Sequence, residues 1–194
     1  MASMGSVNLR PPAGTHMEQL FAPWRIEWVR REDKNADIDG CPFCVLPERA
    51  DAREARVVAE SEHAYVLLNN YPYNPGHTMI IPRTHTGDLG TLEEAELLDH
   101  ARLKQRTVTA LEDALGAEGV NLGANLGSAA GGSIGDHLHT HAVPRWHGDT
   151  NFMPVCSGTK VIVEAVDESY EHLREAFASQ DGAKIGERGS VVFE

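Results

Sequence analysis

Gly135-Asp136-His137-Leu138-His139-Thr140-His141-Ala142-Val143-Pro144-Arg145-Trp146 is the stretch on which the reading of this chain turns. Three histidines alternate with apolar or small residues. In a strand, alternate side chains share a face and each residue rises about 3.3 Å, so the three imidazoles would line one face about 6.6 Å apart. Leu138, Thr140 and Ala142 would turn towards a core. A row of imidazoles is a costly way to pack, because every neutral ring carries a donor and an acceptor that burial must satisfy. A lone histidine on a strand is usually structural. Three in strict alternation point to a working site.

The segments around the row support that reading. Upstream, Gly119 to Asn125 alternates like a strand and runs into Leu126-Gly127-Ser128-Ala129-Ala130-Gly131-Gly132-Ser133. Glycines allow tight turns whose N–H groups converge, which makes a nest for an anion. Gly131 and Gly132 are the candidates for it. Further upstream, Val57–Glu60 and Ala64–Asn69 read as two strands of a hairpin around Ser61-Glu62-His63. Asn69-Asn70-Tyr71-Pro72-Tyr73-Asn74-Pro75-Gly76 is a turn-rich loop, and His77 to Pro82 returns as a strand. Asn70 and Asn74 read as turn chemistry. Thr91-Leu92-Glu93-Glu94 has the form of a capping box. Leu97, Ala101, Val108, Leu111 and Leu115 then recur at helical spacing until Gly116, predicting a helix of about 24 residues with His100 on its surface.

Gly40-Cys41-Pro42-Phe43-Cys44 is a Cys-x-x-Cys turn. Two thiolates at this spacing can hold one tetrahedral zinc, which needs two more ligands. A redox pair is the alternative, but such a motif follows a strand, and here polar, Asp-rich sequence precedes it.

His137-Leu138-His139-Thr140-His141-Ala142-Val143 resembles the signature of the histidine-triad (HIT) superfamily of nucleotidyl hydrolases and transferases. The continuation through Pro144-Arg145-Trp146, Gly148-Asp149 and Asn151-Phe152 resembles the diadenosine-tetraphosphate phosphorylase or hydrolase branch. The resemblance runs from about Cys41 to Phe152 and includes Pro75-Gly76-His77. It implies an α+β HIT-like fold, with a twisted antiparallel sheet of about five strands and the long helix packed on it. It also implies a homodimer with a continuous sheet. His139 would attack the α-phosphorus and form a nucleotidyl-histidine, with a backbone carbonyl fixing its tautomer. His141 and His77 would steady the row or bind phosphate oxygens. Asn69, Asn125 and Ser133 fall where the family contacts ribose or phosphate. Arg145 is a candidate for the distal phosphates or a phosphate acceptor. Relatives that carry zinc on such a cysteine pair complete it with histidines that match His85 and His137. That would give a structural zinc on Cys41, Cys44, His85 and His137, with no metal required for the chemistry. The substrate implied is a dinucleoside polyphosphate. Two other classes stay open: a nucleoside phosphoramidase or adenylyl hydrolase of the same type, and a non-enzymatic nucleotide or zinc binder.

The bulk numbers narrow the class. The chain has 194 residues and a net charge of −12, from 29 acidic and 17 basic residues. That balance disfavours a nucleic-acid polymer, whose phosphates need a basic surface. No apolar run reaches the length of a membrane span. With no secretory segment legible, the expected address is cytoplasmic. The three cysteines Cys41, Cys44 and Cys156 argue against a disulfide framework. Residues 1–16 read as a disordered leader or expression tag, with Gly14-Thr15-His16-Met17 as its junction. Residues 17–180 read as one HIT-like domain and 181–194 as a loose tail. Within the domain, Phe21 to Arg31 reads as a short helix or arm. Lys160 to Ala165 reads as a strand or helix start, and Asp167 to Ser179 as an amphipathic helix.

Overall fold

A computed structural model of the protein describes residues 38–131, 134–149 and 165–194. It is a mixed α+β fold built on a seven-stranded sheet. The strands are β1 (Val57–Glu60), β2 (Ala64–Leu68), β3 (Thr78–Pro82), β4 (Gly119–Ala124), β5 (Thr140–Arg145), β6 (Ala183–Ile185) and β7 (Val191–Phe193). Their order is β4-β5-β3-β2-β1-β7-β6. Every pairing is antiparallel except β1 with β7, which is parallel.

The central strands are buried on both faces, so β2 and β3 read as unbroken apolar runs. Alternation then assigns the faces. Val66, Leu68 and Ile80 meet Leu103, Leu111, Leu173 and Phe177 of the helices. Tyr65, Leu67, Met79 and Ile81 meet Phe43, Ala52 and Ala55 on the opposite face. A register shift between Val57 and Ala59 turns β1, so that Val58 and Ala59 both join the helical side.

Two short helices cover the face of the sheet opposite the long helices, the non-helical face in that sense alone. In α1 (Pro42–Val45), proline sits where its missing N–H costs nothing. In α2 (Ala52–Ala55), the Asp51 carboxylate accepts from the N–H groups of Arg53 at 2.8 Å and Glu54 at 3.2 Å.

The long helix α3 (Glu94–Leu115) starts two residues later than the Thr91 signature predicts. Asp88 caps a 3-10 turn over Leu89–Thr91 and occupies the Thr91 hydroxyl. The reciprocal pair is Glu93 and Glu96, with the Glu93 N–H donating to the Glu96 carboxylate at 2.8 Å. Gly116 closes the helix at φ 59°. Its buried face is also rotated from the expected stripe. His100, Leu103, Thr107, Ala110 and Leu111 face the sheet, whereas Leu97, Leu98 and Ala101 are exposed. His100, expected on the surface, is 2 % exposed and its Nε2–H donates to the Ile80 carbonyl at 3.2 Å. The last helix, α4 (Val166–Ala178), buries Tyr170, Leu173 and Phe177 as its spacing predicts.

Two further expectations are corrected. The sheet has seven strands rather than five, and the Gly-rich end is not a loose tail. Residues 183–193 form the β6–β7 hairpin, which extends the sheet beyond β1. Glu60 holds this hairpin from inside the sheet. Its buried carboxylate accepts from Arg83 at 2.7 Å, and also from Arg188 and Ser190. The leader, Phe21–Arg31, Cys156 and Lys160–Glu164 lie outside the described residues.

Candidate active site

The histidine row sits at the mouth of the non-helical face. Only His141 lies within the regular strand, since β5 begins at Thr140. His137 and His139 precede it, where the chain is held instead by the Leu138 N–H donating to the Thr86 carbonyl at 2.6 Å. This breaks the even spacing expected of a single strand. His139 and His141 stand 5.1 Å apart between ring centres, edge to face. His137 turns away to the cysteines, and the Phe43 ring packs within 5.6 Å of it and 5.1 Å of His139.

The hydrogen bonds of each ring state its tautomer. His139 Nδ1–H donates to the carbonyl of His137 at 2.9 Å. In the neutral ring the lone pair is therefore on Nε2. Burial lowers the pKa of His139, so the ring is held neutral near pH 7, and the carbonyl bond opposes this only in part. A neutral imidazole with a directed lone pair is a competent nucleophile towards an anionic centre.

His77 is fully buried. Its Nδ1 accepts from the backbone N–H of Tyr73 at 3.1 Å, and its Nε2 lies 3.0 Å from His141 Nδ1. With Nδ1 of His77 taken by an N–H, the proton of that ring is on Nε2 and is donated to His141. His141 in turn carries its proton on Nε2. The Tyr73 ring stacks on His77 at 4.9 Å.

The remaining predicted residues divide. In β4, Ala124 pairs with Thr140 at the end of the ladder, and exposed Asn125 is the next residue after it. Gly131 adopts φ 81°, as an anion nest needs. Gly132 and Ser133 lie outside the described residues. Asn69 is buried at the start of the loop, where its side chain accepts from the Tyr71 N–H at 2.8 Å and donates to Met79 Sδ. Arg145 shares the histidine face, but its guanidinium is engaged. Nε and Nη2 donate to the two carboxylate oxygens of Asp149 at 2.5 and 2.9 Å, and Nη1 to Asn121 at 3.0 Å.

Cys41, Cys44, His85 and His137 converge, with their four ligand atoms all within 4.8 Å of one another. Cys41 Sγ and Cys44 Sγ lie 3.4 and 3.6 Å from His137 Nδ1, and Cys44 Sγ lies 3.1 Å from His85 Nδ1. A tetrahedral zinc with ordinary Zn–S and Zn–N bonds sets its ligand atoms about 3.3–3.8 Å apart, so the set fits the ion. His137 is prepared for it, because its Nε2–H donates to the Pro82 carbonyl at 2.9 Å and leaves Nδ1 as the ligand atom. Burial, and then the neighbouring Cys41, push the Cys44 thiol up. A divalent cation would reverse that by supplying the opposing charge. The four residues could hold a metal ion.

Sequence reasoning missed Tyr73, Phe43 and Asp149 as parts of the site, and it set Asn74 aside as a turn residue. The aromatic residues act through a ring face or a backbone N–H, which no motif encodes. Arg145 and Asp149, four residues apart, were the one legible signal.

The sequence profile of the HIT domain matches residues 51–148 of the chain. An AP-4-A phosphorylase of Mycobacterium tuberculosis is 34% identical over 169 residues, covering 84% of this chain and 86% of that protein. A Zn-bound histidine triad family protein from Mycobacterium smegmatis superposes with a TM-score of 0.57 at 31% identity, over 72% of this chain and 94% of the other. A hypothetical histidine triad nucleotide-binding protein from Sulfolobus tokodaii gives a TM-score of 0.57 at 29% identity, over 71% and 91% of the two chains.

Proposed function

Since the chain belongs to the HIT domain family and is a nucleotide-processing enzyme by that kinship, we propose that it cleaves dinucleoside polyphosphates such as diadenosine tetraphosphate by nucleotidyl transfer through His139. The observation that carries this reading is the bond from His139 Nδ1–H to the His137 carbonyl, which leaves the Nε2 lone pair as nucleophile. In the first step Nε2 attacks the α-phosphorus. An N–P bond forms, and the anhydride P–O bond breaks to release a nucleoside triphosphate anion. The positive charge that builds on the imidazole is shared with the His137 carbonyl through Nδ1–H. His141, with its proton on Nε2, donates to a non-bridging oxygen, and the amides around Gly131 and Gly132 with the Ser133 hydroxyl supply further donors. Asn125 and Asn69 hold the phosphate and ribose side. In the second step an oxygen of inorganic phosphate attacks the phosphorus, the N–P bond breaks, and a nucleoside diphosphate leaves. Phosphate rather than water is the proposed acceptor on the strength of the AP-4-A phosphorylase relative. Arg145, committed to Asp149 and Asn121, enters this reading as a brace rather than a phosphate ligand.

The same reading places zinc on Cys41, Cys44, His85 and His137, supported by the donor set and by the Zn-bound relative. Zinc supplies structural cross-linking there. Held there, His137 would keep its carbonyl aimed at Nδ1–H of the nucleophile. The reading also includes a reducing cytoplasm, which keeps both thiols available to the metal. Among the described residues no helix is long and apolar enough to cross a membrane. A homodimer completes the proposal. Among the described residues β4 ends the sheet, and beside it an apolar groove of about 610 Å³ is lined by Leu97, Ala101 and Val108 of α3 with Leu122 and Leu126.

Product analysis tests the chemistry. The protein is incubated with diadenosine tetraphosphate, with and without inorganic phosphate, beside His139→Ala. The expected result is phosphate-dependent release of ATP plus ADP, with a loss of at least about 10³-fold in the variant. AMP plus ATP without phosphate would make water the acceptor. Intact substrate throughout would overturn the reading.

A further inference from the structure

The loop before His77 is closed by a group of side chains remote from the reacting atoms. Asn74 is 3 % exposed, and its side-chain N–H groups donate to the Pro144 carbonyl at 2.8 Å and to Asp149 Oδ2 at 3.0 Å. Asp149 is gripped at both oxygens by Arg145 and accepts a longer bond from the Trp146 N–H at 3.4 Å. These donors, Arg145 foremost, hold its carboxyl down at about 2, so it is an anion at any working pH. The loop is also pressed from outside. Gly76 stands at φ 73°, and a Cβ there would run into the side chain of Leu115 at the end of α3. Trp146 Nε1–H donates to the Leu115 carbonyl at 3.2 Å, which ties that helix end to the turn holding Asp149.

What the loop delivers is an N–H. The Asn74 carbonyl accepts from the His77 N–H at 3.1 Å, and the N–H of Tyr73, one residue earlier, donates to His77 Nδ1 at 3.1 Å. His77 Nε2 then meets His141 Nδ1 at 3.0 Å. Each link fixes the next. An N–H on Nδ1 of His77 forces its proton to Nε2, and that proton on Nδ1 of His141 forces the second ring's proton to Nε2. Were the Tyr73 N–H to swing away, His77 could take either tautomer. His141 could then carry its proton on Nδ1 and turn a lone pair on the phosphate instead of a donor.

We propose that Asn74 and Asp149, braced by Arg145, are positioning residues that fix the tautomers of His77 and His141, so that His141 meets the phosphate as an N–H donor. None of the three touches the reacting atoms. The catalytic purpose rests on the nucleotidyl-transfer reading above, but the tautomers themselves do not.

The test therefore uses a readout that needs no substrate. The full chain, loaded with zinc and labelled with ¹⁵N-histidine, is compared with Asp149→Asn and Asn74→Ala by long-range ¹H–¹⁵N correlation, with resonances assigned through His77→Gln and His141→Gln. Asp149→Asn keeps the shape but turns an amide or a weaker acceptor towards Asn74 and Arg145. In the parent, both His77 and His141 should show Nε2 protonated and Nδ1 unprotonated. In both variants the two rings should lose that fixed pattern, while His139 keeps its Nδ1 proton and zinc content is unchanged. With substrate, kcat should fall about ten- to a hundred-fold and KM should stay within about twofold. Fixed Nε2–H tautomers that persist in both folded variants would overturn the proposal. So would an Nδ1 proton on either ring of the parent. A parent that shows the expected tautomers but leaves every dinucleotide intact would sink the functional reading alone.

Discussion

A buried imidazole has to give up its charge or find an anion, and His100, His137 and His139 give it up. Burial is the first cause of the lowered pKa in all three. For His100 the consequence is a stability that depends on pH. Its folded pKa lies below the unfolded value of 6.5, so the unfolded chain binds the proton first. The stabilisation from a neutral His100 is fully present above pH 6.5 and is lost as pH falls through the folded value. His100→Gln removes the titration and keeps a donor for the Ile80 carbonyl, at a cost of about 1 kcal/mol near pH 7.5. Urea midpoints at pH 7.5 and 5.5 should therefore converge between the two proteins, the parent losing more on acidification. Equal losses would show that His100 does not carry the effect. Its burial was not legible beforehand. The stripe through Leu97, Ala101 and Val108 is apolar enough to claim the core, yet the sheet takes the face through His100, Leu103 and Thr107. The Ile80 carbonyl makes that exchange tolerable.

The knuckle from Cys41 to Glu48 shows an element whose stability comes from outside itself. Helix α1 has four residues, far too few to hold alone. It is fastened by buried Phe43, by the Tyr65 hydroxyl donating to the Phe43 carbonyl at 2.6 Å, and by Arg188 reaching the carbonyls of Pro47 and Arg49. A metal on the Cys41–Cys44–His85–His137 set would add a further fastening. One zinc per chain is expected by elemental analysis. Chelation, or Cys44→Ser, should lower the thermal midpoint by about 10 °C. It should also lower kcat, because the proposed ligand His137 also carries the carbonyl that holds His139. Protein free of zinc, with a midpoint that chelators do not move, would remove the metal from the account. The cysteine spacing and the histidine row made this cluster readable from sequence, together with the hairpin β1–β2, strands β3 and β4 and helix α4. The β6–β7 hairpin was hidden because its strands have three residues each. What holds them is a parallel pairing to β1, more than 120 residues away in sequence, and the carboxylate of Glu60. Short strands of this kind have no period of their own to detect. The tautomer chain from Tyr73 to His141 was equally invisible, since its first donor is a backbone N–H.

The molecule as a whole is acidic, and among the described residues α3 and α4 close the sheet's helical face while nothing pairs with the outer edge of β4. Among the described residues β4 pairs with β5 alone, and four of its six residues are exposed. An open edge with apolar side chains invites pairing with another chain unless charge blocks it. Here Leu122 and Leu126 stand beside Leu97 and Val108, and among the described residues that line the groove Lys104 is the one that carries a charge. Leu97, Leu122 and Leu126 are each 40–48 % exposed, an unusual concentration for a chain with a net charge of −12. Two copies joined antiparallel along β4 would cover these residues and satisfy the edge amides together. Light scattering should accordingly give a mass near 42 kDa, twice the 21.2 kDa of one chain. Leu122→Glu would place two carboxylates in that seam and should weaken association about hundredfold or more. The variant is expected to elute as a folded monomer, with the Cys41–Cys44–His85–His137 cluster still able to take up metal, because none of the four residues belongs to β4. A parent that runs as a monomer at all concentrations would leave the groove without a second copy, and a Leu122→Glu protein that stays dimeric would move the interface elsewhere.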